Sequence, residues 1–426
     1  MLKPSLVVAD SAGRAFDLAG YQALGMKGTA LFSLRPEELV PLPLGSTLMS
    51  LPKRIPLGLN RADNRVEALS QYTPVGVFIA PGWTGAYNTA YRETRNPPRL
   101  PLYSYTAVCW YKSAFHIAAI RVEKTFRHHA GHIDARLVEQ RVRSVLKTHG
   151  SNRIITQLAL CAREYGCAGA QNFFLGKYEC PLPSSPFCNA RCRGCISLQP
   201  AGCCPAPQSR ITFTPTPREL AETALFHIQR VPGSVASFGQ GCEGEPLMSA
   251  HVIEQAIRII RQKTRSGILN MNTNAGKPRD LERLLDVGLD SIRVSMNSVQ
   301  KAVYEKYFRP KNYCFSDVLK SIRMAKNKGK FVSINYLVSP GFTDSGKEVK
   351  AFLAFCKKYQ PDMIQWRNHN YDPLLYARQM GFDRLPARDM LGIRKLIALI
   401  RRNFPAMRHG YYNPARWQLS DKRDPL

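Results

Sequence analysis

The stretch Cys188-Asn-Ala-Arg-Cys192-Arg-Gly-Cys195 decides how this 426-residue chain is interpreted. Its three cysteines are spaced CxxxCxxC, so they offer three thiolates to a metal centre and no fourth. An iron-sulfur cube usually takes four cysteine thiolates. A three-cysteine loop therefore predicts a cluster with one open iron, where a substrate or cofactor can bind directly.

Two other interpretations of these cysteines stay open at this point. They could form part of a zinc site or be simple thiols, because a short motif also occurs by chance. Zinc ribbons normally use two CxxC pairs, and the other cysteines of the chain supply no second pair.

Length and composition predict a large globular protein. With 44% hydrophobic residues, the chain can form two domains, or one large barrel with an extension. No uncharged apolar run approaches the ~18 residues of a membrane span, and Met1-Leu-Lys-Pro lacks the pattern of a signal peptide. Twelve cysteines are too sparse for a disulfide scaffold. We therefore expect a cytoplasmic protein with reduced thiols and no membrane partner.

The net charge of +29 would attract nucleic acid or other anionic surfaces. Basic side chains are densest near the C-terminus, where aromatic residues alternate with them, a mixture that could stack on bases and neutralise RNA. These residues are Arg394, Lys395, Arg401, Arg402, Arg408, Arg416, Lys422 and Arg423, with Tyr411, Tyr412 and Trp417. The charge is equally compatible with a solvated surface.

Downstream of the cysteine loop, short apolar runs alternate with helical patterns, as in βαβ units with a parallel sheet. Five strands are predicted, with a sixth somewhere before Cys188: Ser234 to Phe238, Ile268 to Asn272, Ser291 to Met296, Phe331 to Leu337 and Met363 to Trp366. Six helices are predicted: Pro217 to Gln229, Ser249 to Lys263, Pro278 to Val287, Phe315 to Lys328, Ser345 to Tyr359 and Arg388 to Asn403. The fold class is therefore α/β, with a six-stranded partial parallel barrel.

Residues 1–180 match no motif and are predicted to form a smaller α+β domain of unknown role. The predicted elements are strands at Val75 to Ala80, Tyr105 to Tyr111 and Phe115 to Val122, the last two joined as a hairpin, and helices at Ala135 to Lys147 and Arg153 to Glu164. Residues 181–405 would form the barrel, and residues 406–426 a basic C-terminal tail.

Polar residues follow the predicted strands, at the carboxyl ends where ligands of parallel barrels gather. These candidates for cofactor binding are Gly244, Glu245, Thr273, Asn274, Ser295, Asn297 and Asn335. Short hydroxyl and amide side chains can bind a carboxylate or ribose without carrying a charge. Capping of the following helix would explain the Ser, Thr and Asn residues equally well.

The cysteine loop followed by these ordered strand-end motifs resembles the radical S-adenosylmethionine (SAM) superfamily, over roughly residues 181–405. The resemblance implies a [4Fe-4S] cluster held by Cys188, Cys192 and Cys195. It also implies reductive cleavage of SAM to a 5'-deoxyadenosyl radical, which abstracts hydrogen from an unidentified substrate. An electron donor such as flavodoxin or ferredoxin is implied as a partner.

The loop Cys242-Glu243-Gly244-Glu245-Pro246 is similar to the GGEP motif of the superfamily, with Glu243 in place of the first glycine. In the family this loop lies near the SAM ammonium group, where a bare backbone and Glu245 can approach it. Asn272-Thr273-Asn274 and Ser295-Met296-Asn297 occupy positions that lie near the methionyl and ribose groups.

Other residues carry weaker expectations, and no catalytic residue is assigned. A possible auxiliary cluster could use Cys161, Cys167, Cys180, Cys203 and Cys204, whereas Cys109, Cys242, Cys314 and Cys356 are interpreted as structural. His128, His129 and His132 fit an exposed turn better than a metal site. Arg367 could bind a substrate carboxylate or phosphate, or form a salt bridge with Asp372. His369 is not expected to be a catalytic base.

The substrate is not determined by the sequence, and RNA and peptide are both compatible with it. The alternative function is a non-catalytic RNA-binding protein that holds an iron-sulfur cluster or zinc. Such a module has no need for the strand-end motifs, which therefore favour the enzyme.

Overall fold

The computed structural model describes residues 3–125, 131, 133–201 and 203–415. Two regions of different architecture follow one another along the chain. The first is antiparallel and all-β, and the second is a parallel sheet surrounded by helices. His128, His129, His132, and the tail residues Arg416, Trp417, Lys422 and Arg423, lie outside the described ranges.

The first region contains thirteen strands in one antiparallel network, with the main path β11-β6-β2-β1-β8-β12-β13-β4. They are β1 (Ser5–Ala9), β2 (Ala15–Lys27), β3 (Ala30–Ser33), β4 (Leu39–Pro41), β5 (Thr47–Ser50), β6 (Arg54–Asn60), β7 (Val66–Ala68), β8 (Thr73–Phe78), β9 (Trp83–Gly85), β10 (Asn88–Thr89), β11 (Tyr91–Glu93), β12 (Thr106–Tyr111) and β13 (Ala114–Arg121). The predicted hairpin is confirmed, since β12 pairs with β13 from Val108↔Ile117 to Tyr111↔Ala114.

Residues 1–180 contain both strands and helices, as an α+β region would, but the strands come first and the helices follow them; that these residues form one domain stays a prediction. Described residues up to Arg121 contain strands and one short 3₁₀ turn, but no α-helix. The two predicted helices do form, but they bury their apolar faces with the second region. Val142, Leu158 and Phe173 belong to the same hydrophobic cluster as the core of the parallel sheet.

In the described ranges eleven α-helices begin after the antiparallel region, and most of them flank the parallel sheet. They are α1 (Ala135–His149), α2 (Arg153–Glu164), α3 (Ala168–Leu175), α4 (Pro217–Ile228), α5 (Ala250–Lys263), α6 (Pro278–Asp286), α7 (Lys301–Phe308), α8 (Phe315–Asn327), α9 (Gly346–Tyr359), α10 (Pro373–Met380) and α11 (Ile393–Asn403). Thr216 and Glu219 form a capping box that starts α4, with Pro217 at its first position. None of the helices in the described ranges is long and apolar enough to cross a membrane.

The parallel sheet has seven strands in sequential order. They are β14 (Glu179–Leu182), β15 (Val235–Phe238), β16 (Ile268–Thr273), β17 (Ser291–Met296), β18 (Phe331–Val338), β19 (Met363–Asn368) and β20 (Arg408–Gly410). The five clear predicted strands and the doubtful first one are all present, and the short β20 adds a seventh that the sequence did not reveal. The predicted domain boundary at residue 180 falls within β14; the division of the chain into units remains a prediction.

The parallel sheet curves so that its two edges approach each other. Asn413, just after β20, donates hydrogen bonds from Nδ2 to Glu179 Oε1 on β14 at 3.0 Å and to Ser237 Oγ on β15 at 3.1 Å. Side chains alternate between the two faces of each strand. Apolar residues such as Ile292 and Val294 face the helices, so the polar residues between them face the concave side.

The two regions meet at β19. The Thr84 hydroxyl of β9 donates to the Trp366 carbonyl at 2.7 Å, and the Gly85 amide donates to Asn368 Oδ1 at 2.9 Å. A buried ion pair joins Arg54 Nη2 of β6 to Asp372 Oδ2 at 2.8 Å. The antiparallel region is therefore fixed beside the carboxyl end of β19, where ligands of parallel sheets bind.

Candidate active site

A cavity of about 540 Å³ opens at the carboxyl ends of the parallel strands. Its wall includes all three cysteines of the CxxxCxxC loop and six of the seven predicted cofactor-binding residues: Cys188, Cys192, Cys195, Gly244, Glu245, Thr273, Asn274, Ser295 and Asn335. The remaining one, Asn297, does not line the cavity; its Nδ2 donates to the Tyr376 hydroxyl at 3.0 Å. The structure therefore brings six of the seven predicted residues together with the cysteines, and Asn297 lies in the packing behind them; their role as cofactor ligands stays a prediction.

Burial disfavours the thiolate form of two of the three cysteines, Cys188 and Cys192. Burial raises the pKa of Cys188 to about 11. Burial also raises the pKa of Cys192, and the negative charges of Cys195 and Cys188 add to this effect. A metal centre must displace the thiol protons, because thiolates are the ligating form.

Arg210 is a site residue that the sequence analysis missed. Its Nη2 donates to Cys195 Sγ at 3.4 Å, and its Nε donates to Ser197 Oγ at 3.1 Å. The guanidinium of Arg210 therefore lies next to the third cysteine of the loop. No local pattern pointed to this arginine, since it lies fifteen positions after Cys195 on an irregular loop.

The donor set suits a cluster with three protein ligands. No three His, Cys, Asp or Glu side chains of the described residues are placed to hold a single metal ion. In a [4Fe-4S] cluster each thiolate binds a different iron, so the ligands need not converge on one point. Three unpaired thiols on one cavity wall, with Arg210 beside Cys195, offer ligands of the type that iron-sulfur clusters take.

Glu243, the departure from the GGEP pattern, ties the cysteine loop to the end of β15. Its Oε2 accepts hydrogen bonds from the Ser184 amide at 2.8 Å and the Ser185 amide at 3.0 Å. Its Oε1 accepts from the Gly239 and Gln240 amides at 2.8 and 2.6 Å. Burial raises the pKa of Glu243 to about 7, while these hydrogen bonds favour the carboxylate. The buried carboxylate of Glu243 therefore connects the segment before Cys188 with the loop that follows β15.

Gly244 is needed because the same two loops touch. A Cβ at this position would lie 2.0 Å from the Phe187 carbonyl oxygen, which no side chain tolerates. The Gly244 amide donates to the Ser185 carbonyl at 2.7 Å, and the Glu245 amide donates to the Phe187 carbonyl at 2.8 Å. The absence of a side chain at Gly244 therefore allows its backbone to pack directly against Phe187, the residue before Cys188. The sequence analysis did not predict this contact.

Glu245 is also held by protein groups. Its Oε2 accepts from the Asn274 amide at 2.8 Å, and its Oε1 accepts from the Thr273 hydroxyl. Burial raises the pKa of Glu245 to about 7. Asn274 Nδ2 in turn donates to Asn189 Oδ1 at 2.7 Å, next to Cys188. The GEP loop, the end of β16 and the cysteine loop therefore form one connected hydrogen-bonded unit.

Ser295 and Asn335 lie side by side on the opposite wall. Asn335 Nδ2 donates to Ser295 Oγ at 3.3 Å, and Asn335 Oδ1 is buried with no hydrogen-bond partner. An unpaired acceptor in a cavity wall is available to a ligand that donates a hydrogen bond.

The remaining cysteines do not form one group. Cys161, Cys167 and Cys242 line the cavity, and Cys242, which was interpreted as structural, is also buried in the main hydrophobic cluster. Cys180 is buried in the core, and Cys203 and Cys204 lie on another surface with their sulfurs 3.4 Å apart. The auxiliary cluster therefore stays a prediction.

Asp372 and His369, which follow β19, have different surroundings. Asp372 is paired with Arg54, so the predicted salt bridge between Arg367 and Asp372 is not formed. His369 lines the cavity, but burial lowers its pKa to about 3. The low pKa disfavours uptake of a proton by His369; that it is not a catalytic base stays a prediction.

The antiparallel region contributes part of the cavity wall. Phe78, Ile79, Pro81 and Ser104 all line it. No sequence pattern linked these residues to the cluster loop, because the contact depends on how the two regions pack.

Comparison with known proteins agrees with this geometry. Residues 182–355 match the family model of the radical SAM superfamily. The chain is 24% identical over 199 residues to the FeMo cofactor biosynthesis protein NifB of Klebsiella pneumoniae, covering 42% of each chain. It is 26% identical over 211 residues to the GTP 3',8-cyclase of Mycobacterium marinum, covering 46% of this chain and 55% of that protein. The matches thus span about half the length of these relatives.

Among solved structures, methylornithine synthase (PylB) aligns with a TM-score of 0.39 and 17% sequence identity, covering 64% of this chain and 77% of that one. Radical SAM enzymes use a [4Fe-4S] cluster together with SAM. The matched segment contains the cysteine loop and the strands that carry every predicted cofactor-binding residue. Residues 182–355, which include the cysteine loop and the strand ends of the cavity, therefore match the radical SAM superfamily.

Proposed function

We propose that this protein binds a [4Fe-4S] cluster through Cys188, Cys192 and Cys195 and cleaves SAM reductively to start hydrogen abstraction from a substrate. One observation carries the proposal. The three cysteines share a single cavity with the strand-end residues Glu245 and Ser295. A site that only held a cluster would not require these polar groups at the ends of successive strands.

The cluster, when bound with SAM and reduced, supplies the electron that cleaves the sulfonium to methionine and a 5'-deoxyadenosyl radical. The residues of the chain position and protect this chemistry. Glu243 and Gly244 hold the cysteine loop against the end of β15, and Glu245 orders the end of β16. Thr273, Asn274, Ser295 and Asn335 would face the methionyl and ribose groups. Asn297, which does not line the cavity, would support them from behind.

The antiparallel region would complete the site by excluding water. Phe78 and Ile79 place apolar surface on the cavity wall, and a dry cavity limits side reactions of a radical. The electron would come from a separate carrier such as flavodoxin or ferredoxin.

The test is formation of 5'-deoxyadenosine after anaerobic reconstitution, with dithionite as reductant. We expect the wild-type chain to produce it and Cys192→Ala to lose it together with most of the bound iron. The matched control is Cys314→Ser, at a partly exposed thiol at the N-cap of α8, where the serine hydroxyl can take the place of the thiol.

A wild-type protein that assembles its cluster but never cleaves SAM, even with a strong reductant, would contradict the proposal. That result would favour the non-catalytic iron-sulfur protein instead.

A further inference from the structure

Two arginines lie within the cavity on the concave face of the parallel sheet. Arg293 is on β17 and Arg367 is on β19, with β18 between them. Arg293 Nη1 reaches across to Gln365 Oε1 at 3.3 Å. Gln365 is two residues before Arg367 on the same strand, so both point to the same face. The two guanidinium groups therefore share one small area of the cavity wall.

Neither arginine has a carboxylate partner among the described residues. Asp372, the partner that the sequence suggested for Arg367, forms an ion pair with Arg54 instead. Arg367 Nη1 donates to the Tyr411 carbonyl at 2.9 Å, and its guanidinium lies 3.9 Å from the centre of the Tyr411 ring. Arg293 Nε is buried and has no hydrogen-bond partner. A guanidinium has five N–H donors, so most of those on this pair are unused.

This arrangement is unfavourable for the folded protein alone. Burial lowers the pKa of Arg293 to about 9, and the positive charge of Arg367 adds to the effect. Glu179, also on the cavity wall, is the acidic group that acts in the opposite direction, and Asn413 donates to it at 3.0 Å. Two like charges and an unpaired buried donor cost stability. Such groups persist where a ligand uses them.

We propose that Arg293 and Arg367 together bind an oxyanion group of the substrate, a carboxylate or a phosphate. The planar guanidinium matches both groups with paired N–H donors. Tyr411 holds Arg367 in place from the side, and Gln365 orients Arg293. The inference rests on the proposed function, because it assigns the substrate class of the same site.

The position of the pair separates this anion from the SAM carboxylate. Arg293 lies two residues before Ser295 on β17, so it is deeper in the sheet than the strand-end groups expected to contact SAM. Both arginines also lie on the wall formed by β17 to β19, whereas the cysteine loop follows β14.

Binding of inorganic phosphate and of acetate tests the proposal without any need for SAM cleavage. The thermal midpoint is measured with about 20 mM of each anion against chloride of equal ionic strength, on the protein as isolated and after reconstitution. We expect at least one anion to raise the wild-type midpoint by about 1–2 °C. The larger response identifies the group as phosphate or carboxylate.

Arg293→Gln and Arg367→Gln should each abolish the rise in thermal midpoint that phosphate or acetate produces relative to chloride. Arg293→Gln should also raise the thermal midpoint measured in chloride, because it removes a buried positive charge. The control Arg279→Gln, at an exposed arginine, should respond like wild type. General salting effects of phosphate act on all variants equally. Arg367→Lys keeps the positive charge but lacks the paired N–H donors of a guanidinium, so it should retain only part of the rise in thermal midpoint.

An anion response that survives in both glutamine variants would overturn the proposal. A loss of SAM affinity by more than about tenfold in both, measured by equilibrium dialysis, would also overturn it, because the ligand would then be the SAM carboxylate. Failure of the proposed function has a different result: no 5'-deoxyadenosine from wild type, whatever the anion response.

Discussion

The two regions of this molecule differ in how they form and in how they contribute to the site. The parallel sheet places its polar residues at strand ends, and each comes from a short sequence motif. The antiparallel region contributes Phe78, Ile79, Pro81 and Ser104 to the same cavity, but only through packing against β19. The polar residues of the cavity thus follow from short sequence motifs in the parallel region. The closing of the cavity by the antiparallel region depends instead on contacts between residues almost 300 positions apart.

The largest expected effect tests the locally encoded region. Gly244→Ala would place a Cβ 2.0 Å from the Phe187 carbonyl oxygen, forcing apart the loops before and after it. We expect 5'-deoxyadenosine formation to fall by about 100-fold, since a displacement of about 1 Å at a reacting centre has that cost. Iron content per chain should fall as well, measured by chelation assay after reconstitution.

The matched control is Gly346→Ala at the start of α9, where the nearest atom to an added Cβ lies 3.8 Å away. It should keep its iron and its activity. If Gly244→Ala behaved in the same way, the close contact of the two loops would not be what positions Cys188.

The next effect tests the junction of the two regions. Arg54→Ala leaves Asp372 as a buried unpaired carboxylate and should lower the free energy of unfolding by about 3–5 kcal/mol. The partly exposed pair of Arg378 and Glu93 joins the same regions, yet Arg378→Ala should cost less than about 1 kcal/mol. Denaturant titration measures both. Equal costs for the two variants would show that the regions are not held together by the buried pair.

The smallest effect concerns β20, the strand that the sequence analysis missed. His409 Nδ1 accepts a hydrogen bond from Trp366 Nε1 at 2.9 Å, and burial lowers the pKa of His409 to about 3. The unfolded chain therefore binds a proton that the folded chain does not, so stability is lost as pH falls below about 6.5. His409 alone contributes a slope of up to about 1.4 kcal/mol per pH unit.

His409→Gln keeps an acceptor for Trp366 but does not titrate. It should reduce the slope of unfolding free energy between pH 6 and pH 4.5, measured by urea titration at several pH values. His251→Gln, at an exposed histidine of α5, should leave the slope as it is in wild type. An unchanged slope in His409→Gln would mean that this imidazole takes up its proton in the folded state.

The sequence predicted what depends on short-range pattern. The strands of the parallel sheet, most of its helices and six of seven cofactor candidates follow from apolar runs that end in polar residues. It did not predict β1 to β7, β9 to β11 or β20, because these strands, most of them short, are stabilised by pairing with other strands. The sequence also could not reveal the contact of Arg210 with Cys195 or the hydrogen bonds of Glu243, since the partners lie on other loops.

The central claim is that three cysteines hold a cluster whose fourth iron is open to SAM. Electron paramagnetic resonance of the reduced, reconstituted protein tests it most directly, recorded before and after SAM is added. The account predicts a clear change in the cluster signal on addition of SAM. A spectrum that SAM leaves unchanged, with a fourth protein ligand already on the cluster, would contradict it.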